Sequence, residues 1–539
     1  ERYRFPIQDH GLKVGRSVIN PETVQDDGTK LCGSVQELDE IDLTVVLRRT
    51  KGQLEQGTPK ALIPYEYFST AGLRASLART AEWVLAGGPD TPGARRAALD
   101  LLLRRPPRTR TPEGRLQRPD ETPLQAARRL ALDLDATTLA IQGPPGSGKT
   151  YTAARMIVAL VQAGRRVGVT ANSHKVIGNA LDKIHEAAEE AGLRIGIGQK
   201  PSGDEEPTSK HARPLGANAS VRADLDAGAV DVVGGTAWLW SSPELEAAVD
   251  VLFVDEAGQF SLANAIAVAP AGRSLVLLGD PQQLDQPLQG SHPPGAERSA
   301  LGHVLDGASV MPDGLGLFLA DTWRLHPDVC AFTSEVFYEQ RLQWEPSLAK
   351  QALAGVTPAD GTGIRWLPVE HTGDATESIE EARVIAALVG DLLHGGARWT
   401  NRHGQTAPVR LDDIVIVAPY NAHVERISRT LADAGLATER VGTVDKFQGQ
   451  EAPISIYAMA TSTPEEAPRG MEFLYSRNRL NVATSRARCV ALVVASPELI
   501  RVQCRTPEQM RLANALCRFV EVAAEQARTR NGDAQVSVA

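Results

Sequence analysis

The segment from Ile141 to Thr150, Ile-Gln-Gly-Pro-Pro-Gly-Ser-Gly-Lys-Thr, constrains the fold of this chain more than any other stretch. Glycine at three of its positions lets successive backbone N–H groups turn inward around phosphate oxygens, where side chains would obstruct them. Lys149 can then reach the β- and γ-phosphates of a nucleotide, and the hydroxyl of Thr150 can bind Mg²⁺. The apolar stretch 138–141 before this segment and the helical stretch 151–161 after it predict a strand, a phosphate-binding loop (P-loop) and a helix.

Two later strand ends supply the groups that nucleotide hydrolysis needs. The apolar run 251–254 delivers Asp255 to its carboxyl end, where the carboxylate can bind Mg²⁺, and Glu256 beside it can polarise the attacking water. A second apolar run, 274–278, is followed by Gln283, whose neutral amide can sense the γ-phosphate or the water without adding charge. Alone, either segment would be an ordinary strand end or loop. After a P-loop, they predict a site of ATP hydrolysis.

Composition excludes several classes of protein. No apolar run approaches the roughly 18 to 20 residues that span a bilayer, which excludes a membrane protein. The cysteines are far apart, which argues against a zinc ribbon or an iron–sulfur cluster and predicts a reducing, cytoplasmic location: Cys32, Cys330, Cys489, Cys504 and Cys517. A net charge of −9 neither indicates nor excludes nucleic-acid binding, because phosphate contacts need only a local basic track.

The 539 residues are too many for one core and predict several domains in an α/β chain. The predicted order is a β-rich, barrel-like accessory domain, a helical stalk with an arginine-rich linker, two αβ domains, and a C-terminal helix with a flexible tail disordered after Asn531. Their bounds are 1–65, 66–118, 119–314, 315–510 and 511–539. Strands are predicted at 12–18, 33–38 and 43–47. The linker arginines are read either as a solvated linker or as a segment that contacts phosphates.

Further segments match motifs of one family. They are Thr-Pro-Leu-Gln-Ala from residue 122, Val-Thr-Ala-Asn-Ser-His-Lys from 169, Gly-Thr-Ala-Trp from 235, Asp-Thr-Trp-Arg-Leu-His-Pro from 321, Val-Ala-Pro-Tyr-Asn-Ala-His from 417, Thr-Val-Asp-Lys-Phe-Gln-Gly-Gln-Glu from 443 and Arg-Leu-Asn-Val-Ala-Thr-Ser-Arg-Ala-Arg from 479. With the P-loop and the two strand ends, they make residues 121–496 resemble superfamily 1 helicases. The closest resemblance is to the branch of the nonsense-mediated-decay RNA helicase and the replication helicase–nuclease.

This resemblance implies two RecA-like P-loop NTPase domains and a role for each matching residue. The implied nucleotide-binding set is Gln125, Gly143, Gly146, Ser147, Gly148, Lys149, Thr150, Tyr151, Trp323 and Glu451. In it, Gln125 reads adenine, Trp323 stacks on adenine and Glu451 contacts the ribose. The implied catalytic set is Lys149, Asp255, Glu256, Gln283, Arg324 and Arg486, with Thr150 and Asp255 as ligands of Mg²⁺. The implied nucleic-acid contacts are Ala171, Asn172, Ser173, Thr236, Pro419, Tyr420 and Gln448.

The two arginines indicate a motor. A guanidinium can bind two γ-phosphate oxygens at once, which stabilises the charge of phosphoryl transfer. If Arg324 and Arg486 both come from the second αβ half, ATP closes a cleft between the halves and hydrolysis releases it. We therefore expect an ATP-dependent helicase or translocase on single-stranded DNA, with the 5′-to-3′ polarity that the resemblance implies. An RNA helicase and a nucleotide-gated nucleic-acid clamp or remodeller are the alternatives. A small-molecule kinase would leave the second half without a role.

The resemblance also carries expectations about the rest of the protein. Bacterial relatives often have a RecB-like nuclease ahead of the helicase, and a chain that starts with Glu1 fits a segment of such a protein. Residues 1–118 have no Asp/Glu/Lys nuclease pattern, so this chain itself is expected not to cut nucleic acid. The β-rich segment and the stalk are expected above the first αβ domain, where they would hold or split strands.

Overall fold

The protein is described here by a computed structural model. It describes residues 1–539 except 7, 9, 24–30, 66–68, 89–92, 94, 112–114, 204, 287, 289, 291, 357, 448 and 537–539, and only the backbone of 531–536. The chain forms two compact units. The P-loop unit comprises Thr70–Arg324 and Thr333–Glu345, and the second unit comprises Glu1–Ser69, Leu325–Phe332 and Pro346–Ala539.

An antiparallel sheet forms from the N-terminal residues, in the strand order β1-β4-β3-β2-β5. Its elements are β1 (Arg2–Arg4), β2 (Ser17–Ile19), β3 (Leu31–Asp39), β4 (Thr44–Arg48), the short helix α1 (Lys51–Leu54) and β5 (Ile63–Pro64). In the described part of the chain this sheet is open, whereas a barrel-like domain was predicted. The strand predicted at 12–18 starts only at Ser17, because Gly15 has a φ of 84° and turns the backbone so that its N–H donates to Val35 O at 2.7 Å.

The P-loop unit is built on an eight-stranded sheet in the order β13-β6-β12-β11-β7-β10-β8-β9, with every neighbouring pair parallel. Its strands are β6 (Thr138–Gln142), β7 (Val167–Thr170), β8 (Ile197–Gln199), β9 (Arg213–Pro214), β10 (Val232–Gly234), β11 (Val249–Val254), β12 (Gly272–Gly279) and β13 (Gly316–Phe318). The central strands are buried almost throughout, since helices cover both faces of a parallel sheet. This explains why their apolar runs are so clear in the sequence.

The helices of this unit begin before the P-loop. They are α2 (Ala71–Gly87), α3 (Arg96–Leu102), α4 (Pro123–Asp133), α5 (Lys149–Gln162), α6 (His174–Glu190), α7 (Asn218–Asp226), α8 (Ala237–Trp240), α9 (Leu262–Val268), α10 (Ala300–Leu305) and, from Thr333 onward, α11 (Pro327–Phe337). Two short strands, β14 (Asp321–Thr322) and β15 (Gln343–Trp344), pair in parallel. The expected helical stalk is therefore α2 and α3, and Ser76 of α2 donates to Ala267 O of α9 at 2.7 Å.

Part of the arginine-rich linker packs as structure rather than as a solvated linker. Arg108 lies 2.7 Å from the carboxylate of Asp100, which is 1% exposed on α3, and Arg105 lies 3.8 Å from it. Arg104 pairs with Asp306 in the same unit. A buried carboxylate needs such partners. These arginines therefore anchor α3, and neither of the two predicted readings describes them.

The second unit has its own parallel sheet in the order β17-β23-β22-β20-β21 and a small antiparallel sheet β16-β18-β19. The strands are β16 (Ala352–Ala354), β17 (Gly363–Pro368), β18 (Arg398–Thr400), β19 (Thr406–Pro408), β20 (Ile414–Ala418), β21 (Val441–Thr443), β22 (Ala452–Ala458) and β23 (Ala487–Ala495). The helices are α12 (Ile379–His394), α13 (Asn421–Asp433), α14 (Met471–Leu474), α15 (Arg477–Thr484) and α16 (Pro507–Val536). The α/β class with two helix-covered parallel sheets is confirmed.

Two predicted boundaries and one predicted placement are wrong. Strand β13 pairs with the P-loop strand β6, so the first αβ domain does not end at residue 314. Helix α16 starts before residue 511 and extends to Val536, past the point where disorder was predicted, while 537–539 lie outside the described residues. The N-terminal sheet groups with the second αβ half, not with the first: Glu40 N donates to Glu425 Oε2 of α13 at 3.0 Å, and Arg429 of α13 pairs with Asp39.

No helix within the described ranges has both the length and the apolar character needed to cross a membrane.

Candidate active site

The P-loop follows β6 and leads directly into α5, as predicted. Gly146 and Gly148 have φ values of 73° and 77°, in the left-handed region that favours glycine. A Cβ on Gly143 would lie 2.2 Å from Cγ of Lys149, so the lysine side chain runs across this glycine. The loop therefore needs its glycines for backbone conformation at two positions and for close approach at the third.

Donors in the loop are available for an anion. Among the described residues, the N–H groups of Gly146 and Gly148 make no hydrogen bond, and the buried hydroxyl of Ser147 has no partner. Lys149 Nζ donates to Gly143 O at 2.6 Å, which holds the ammonium over the loop. Free N–H groups at a helix N-terminus with a lysine above them fit the phosphates of a nucleotide.

Asp255 and Glu256 follow β11, whose neighbour β12 pairs with the P-loop strand. The carboxylate of Asp255 is 9% exposed and accepts from Glu256 N at 2.9 Å. Burial raises the pKa of Asp255 to about 7, the Glu256 charge adds to the rise, and Lys149 opposes it. A carboxylate that burial disfavours in its charged form, beside the P-loop, fits a ligand of Mg²⁺. Thr150 lines the same small cavity as Asp255, as expected for the second predicted ligand.

Glu256 has a φ of 53°, a left-handed conformation that is uncommon outside glycine. Its carbonyl accepts from Gln259 N at 2.8 Å, and the following Ala257 N donates to Leu278 O of β12 at 2.7 Å. The surrounding backbone thus fixes a strained residue at the strand end. Such strain is common where a side chain must be aimed at a reacting group.

The segment 321–324 lies directly on the P-loop. Thr322 Oγ1 donates to Pro145 O and Trp323 N donates to Gly146 O, both at 2.9 Å. A Cβ on Gly146 would lie 2.4 Å from Cβ of Arg324. Arg324 is therefore brought to the phosphate loop, but from the P-loop unit and not from the second half as predicted, because β13 pairs with β6 and returns the chain to the loop. Trp323 is 55% exposed, so its ring is accessible to a base.

Gln125 and Tyr151 occupy the positions predicted for them on the P-loop unit, with local roles of their own. Gln125 forms a capping box at the start of α4: its Oε1 accepts from Thr122 N at 2.8 Å, and its N–H donates to Thr122 Oγ1 at 3.3 Å. The exposed Tyr151 ring lies under the guanidinium of Arg155, with 3.2 Å from Cζ to the ring centroid. Their contacts with adenine and nucleotide stay predictions.

Residues predicted to touch nucleic acid in this unit lie at the carboxyl ends of β7 and β10. Asn172 is exposed and donates to Gln259 O at 2.8 Å, and Ser173 caps α6 by accepting from Val176 N at 3.3 Å. Thr236 is the residue before α8. Ala171 is 1% exposed, so a contact from it would involve backbone atoms.

Four of the predicted residues belong to the second unit, and Gln448 lies outside the described residues. Arg486 is 3% exposed and donates to Gln450 O at 3.1 Å. Glu451 accepts from Arg488 Nε at 2.9 Å. Pro419 and Tyr420 are buried, and the Tyr420 ring packs on Phe473 with 5.4 Å between centroids. Side-chain stacking of a base on Tyr420 is therefore not available in this conformation.

Comparison with known proteins agrees with this geometry. Residues 123–292 and 310–498 match two protein families that are each described as an AAA domain. A DNA replication ATP-dependent helicase/nuclease of Arabidopsis thaliana is 24% identical over 397 residues, which are 69% of this chain and 28% of that protein. The DNA-binding protein SMUBP-2 of Rattus norvegicus is 26% identical over 424 residues, 67% of this chain and 41% of that protein. The chain carries P-loop NTPase domains like those of superfamily 1 helicases.

A solved structure, that of an arterivirus nonstructural protein 10 (helicase) with DNA, aligns with a TM-score of 0.38 and 16% identity. The alignment covers 69% of this chain and 62% of that one. The chain spans less than half the length of the two relatives named above.

The P-loop NTPase site contains side-chain contacts that the sequence did not predict. Asp280, at the end of β12, is 2% exposed and accepts from Gln283 Nε2 at 2.9 Å and from Tyr338 Oη at 2.7 Å. Gln142, the last residue of β6, donates to Asp280 at 3.4 Å. Asp280 and Gln283 are three residues apart in one turn segment, but nothing in the sequence links this pair with Gln142 or Tyr338.

The buried Asp255 carboxyl predicts a pH-dependent cost to folding. Its pKa of about 7 lies above the usual value of 3.8, so between these pH values the folded protein holds a proton that the unfolded chain has lost. Stability therefore falls as pH rises through this range. In metal-free buffer, Asp255→Asn is expected to be more stable than wild type by about 1–3 kcal/mol at pH 8 and similar to it near pH 4. Thermal unfolding in EDTA at both pH values measures this.

The matched control for this experiment is Glu189→Gln, an exposed carboxylate on α6. It should leave the stability unchanged at both pH values. A gain for Asp255→Asn that is the same at pH 4 and pH 8 would contradict the assignment, because it would not arise from the ionisation of this carboxyl.

Proposed function

We propose that this chain is an ATP-driven nucleic-acid helicase or translocase that moves along single-stranded DNA. The proposal is carried by one observation: a donor-rich P-loop after β6 lies in the same sheet as the buried Asp255 and the backbone-fixed Glu256 after β11, with only β12 between the two strands. A protein that only binds nucleotide needs no residue aimed at an attacking water. A motor that hydrolyses ATP in each step does.

Each residue then has a defined task. Lys149 and the loop N–H groups bind the β- and γ-phosphates, while Thr150 and Asp255 hold Mg²⁺, which neutralises the developing charge when it is bound. Glu256 accepts the proton of the attacking water. Arg324, which already lies against Gly146, binds the γ-phosphate oxygens. We propose the same chemistry for Arg486, and an Arg486→Ala variant that hydrolyses ATP at the wild-type rate would remove it from the catalytic set.

The nucleotide base and the strand are assigned on the same grounds. Gln125 and the exposed Trp323 are proposed to contact adenine, Tyr151 the nucleotide and Glu451 the ribose. Asn172, Ser173 and Thr236 are proposed to contact the strand. DNA is favoured over RNA because relatives named for DNA cover about two thirds of the chain, and the 5′-to-3′ direction follows from the family resemblance. An upstream nuclease domain and a cytoplasmic location belong to the same proposal.

ATP turnover tests the proposal directly. We would measure it without nucleic acid, then with single-stranded DNA and with RNA of matched length, at low and moderate salt. Stimulation by DNA that weakens as salt rises is expected, since phosphate contacts release counterions. Equal stimulation by RNA would support the RNA helicase. ATP binding without stimulated turnover would support the clamp.

The direction of translocation and the expected lack of nuclease activity need separate assays. Strand displacement on duplexes with either a 5′ or a 3′ single-stranded tail reports polarity, and activity on the 5′ tail alone is expected. Incubation of this chain with labelled DNA and Mg²⁺ should leave the DNA intact. Metal-dependent cleavage by this chain would contradict the expectation that residues 1–118 carry no nuclease site.

A further inference from the structure

Asp280 is a buried carboxylate that the tasks above leave unused. One of its oxygens, Oδ2, accepts from Tyr338 Oη at 2.7 Å and from Gln283 Nε2 at 2.9 Å. The other, Oδ1, accepts from Gln282 N at 3.2 Å and from Gln142 Nε2 at 3.4 Å. Four donors converge on a group that is 2% exposed. Such saturation is what a buried carboxylate requires, and it fixes the carboxylate in one orientation.

This arrangement determines how Gln283 is oriented. A carboxylate can only accept hydrogen bonds, so the glutamine must present its NH₂ group to Asp280. Its carbonyl oxygen Oε1 therefore points to the other side, where it makes no hydrogen bond among the described residues. The Gln283 residue as a whole is half-buried. A free amide carbonyl can accept a hydrogen bond from the attacking water.

Asp280 is also fixed to the P-loop. Gly143 N donates to Gly279 O at 2.9 Å, so the residue before Asp280 is bonded to the first residue of the loop. The side-chain amide of Gln142 contacts the same carboxylate. Its Nε2 donates to Asp280, while its Oε1 accepts from Met311 N at 2.7 Å. A displacement of Asp280 would thus displace the amide of Gln283 relative to the phosphate loop.

Tyr338 is held by ring packing as well as by its hydrogen bond to Asp280. Its ring is completely buried at the end of α11 and packs on Phe318 of β13, with 6.3 Å between centroids. Strand β13 in turn pairs with β6, the strand that leads into the P-loop. The hydroxyl gives the shortest hydrogen bond to Asp280. The chain thus places a buried side-chain O–H against the carboxylate that orients Gln283.

We propose that Tyr338 is a positioning residue for ATP hydrolysis: through Asp280, it holds the Gln283 amide with its carbonyl oxygen toward the attacking water. This inference rests on the proposed function, because it assigns a role within that same ATP site. Tyr338 touches neither nucleotide nor water in this mechanism. Its effect is on the rate of hydrolysis and not on ATP binding, because the phosphates are bound by the P-loop.

The test is Tyr338→Phe, which removes only the hydroxyl. Turnover at saturating ATP is expected to fall roughly three- to tenfold, the cost of one hydrogen bond in the transition state, while KM for ATP changes less than about twofold. The matched control is Tyr457→Phe, which removes a buried hydroxyl without a hydrogen-bond partner in the described structure and should not change turnover. If Tyr338→Phe hydrolyses ATP as fast as an active wild type, this inference is overturned while the proposed function stands.

A double-mutant cycle separates positioning from loss of folding. If Tyr338 acts through Gln283, the double variant with Gln283→Ala should hydrolyse ATP as slowly as Gln283→Ala alone, since nothing is left to position. Rate losses that multiply would overturn the inference, because a structural effect would lower both backgrounds equally. If the wild type hydrolyses ATP no faster than Lys149→Ala, the proposed function is overturned, and this inference with it.

Discussion

Replacing Lys149 with alanine is expected to lower nucleic-acid-stimulated ATP turnover by about 10²- to 10³-fold, the cost of removing one preorganised electrostatic donor from a transition state. The ammonium sits over the P-loop, 2.6 Å from Gly143 O, and its stem runs across Gly143. In alanine the charge and the stem are both lost, while the backbone N–H groups remain. Turnover is measured by phosphate release, and ATP affinity by the anisotropy of a fluorescent analogue.

Two controls make this result specific. Lys183→Ala removes an equal charge from α6 of the same unit, where the ammonium pairs with Glu186 at 2.6 Å, and should leave turnover unchanged. Lys149→Arg keeps the charge but replaces a compact ammonium with a planar guanidinium, and should also be slow. If Lys149→Ala hydrolyses ATP at the wild-type rate, the P-loop is not part of the catalytic site. The proposed ATP-driven motor would then be contradicted.

The strands and the P-loop at this site could be predicted because each is determined by a short stretch of sequence. The buried strands β11 and β12 appear as apolar runs, and each run ends at the polar residues of the site. The glycines of the P-loop predict its backbone conformation without any information from the rest of the chain. Sequence therefore predicted the fold class and the places of Lys149, Asp255 and Glu256 in it, while the catalytic roles of these residues stay predictions.

Long-range pairing was not predictable in the same way. The predicted start of the second αβ domain at residue 315 puts Arg324 in the second half, yet β13 pairs with β6, about 175 residues earlier. Tyr338 and Asp280 are 58 residues apart and meet only because α11 returns to the sheet. The N-terminal sheet attaches to α13 through Arg429 and Glu425, which are close to 390 residues away. No periodicity or composition carries this information.

Glu256→Gln is expected to separate ATP binding from hydrolysis. The amide keeps the size of the carboxylate and its backbone setting, including the left-handed φ of 53°, but it cannot accept a proton from the attacking water. Turnover should fall about 10²- to 10⁴-fold, the usual contribution of a general base, while ATP affinity stays within about threefold of wild type. The matched control is Glu189→Gln, which changes an exposed carboxylate of the same unit to an amide.

Binding of nucleic acid gives this variant its diagnostic value. A motor that cannot complete hydrolysis should stay in its ATP-bound state, so Glu256→Gln with ATP is expected to retain single-stranded DNA while Lys149→Ala is not. Filter binding with and without ATP compares the two variants directly. If Glu256→Gln hydrolyses ATP normally, the water is activated elsewhere, and the strained backbone at residue 256 then serves only to place Asp255. If it neither binds ATP nor retains DNA, the carboxylate acts in nucleotide binding, and the division of tasks between Asp255 and Glu256 is wrong.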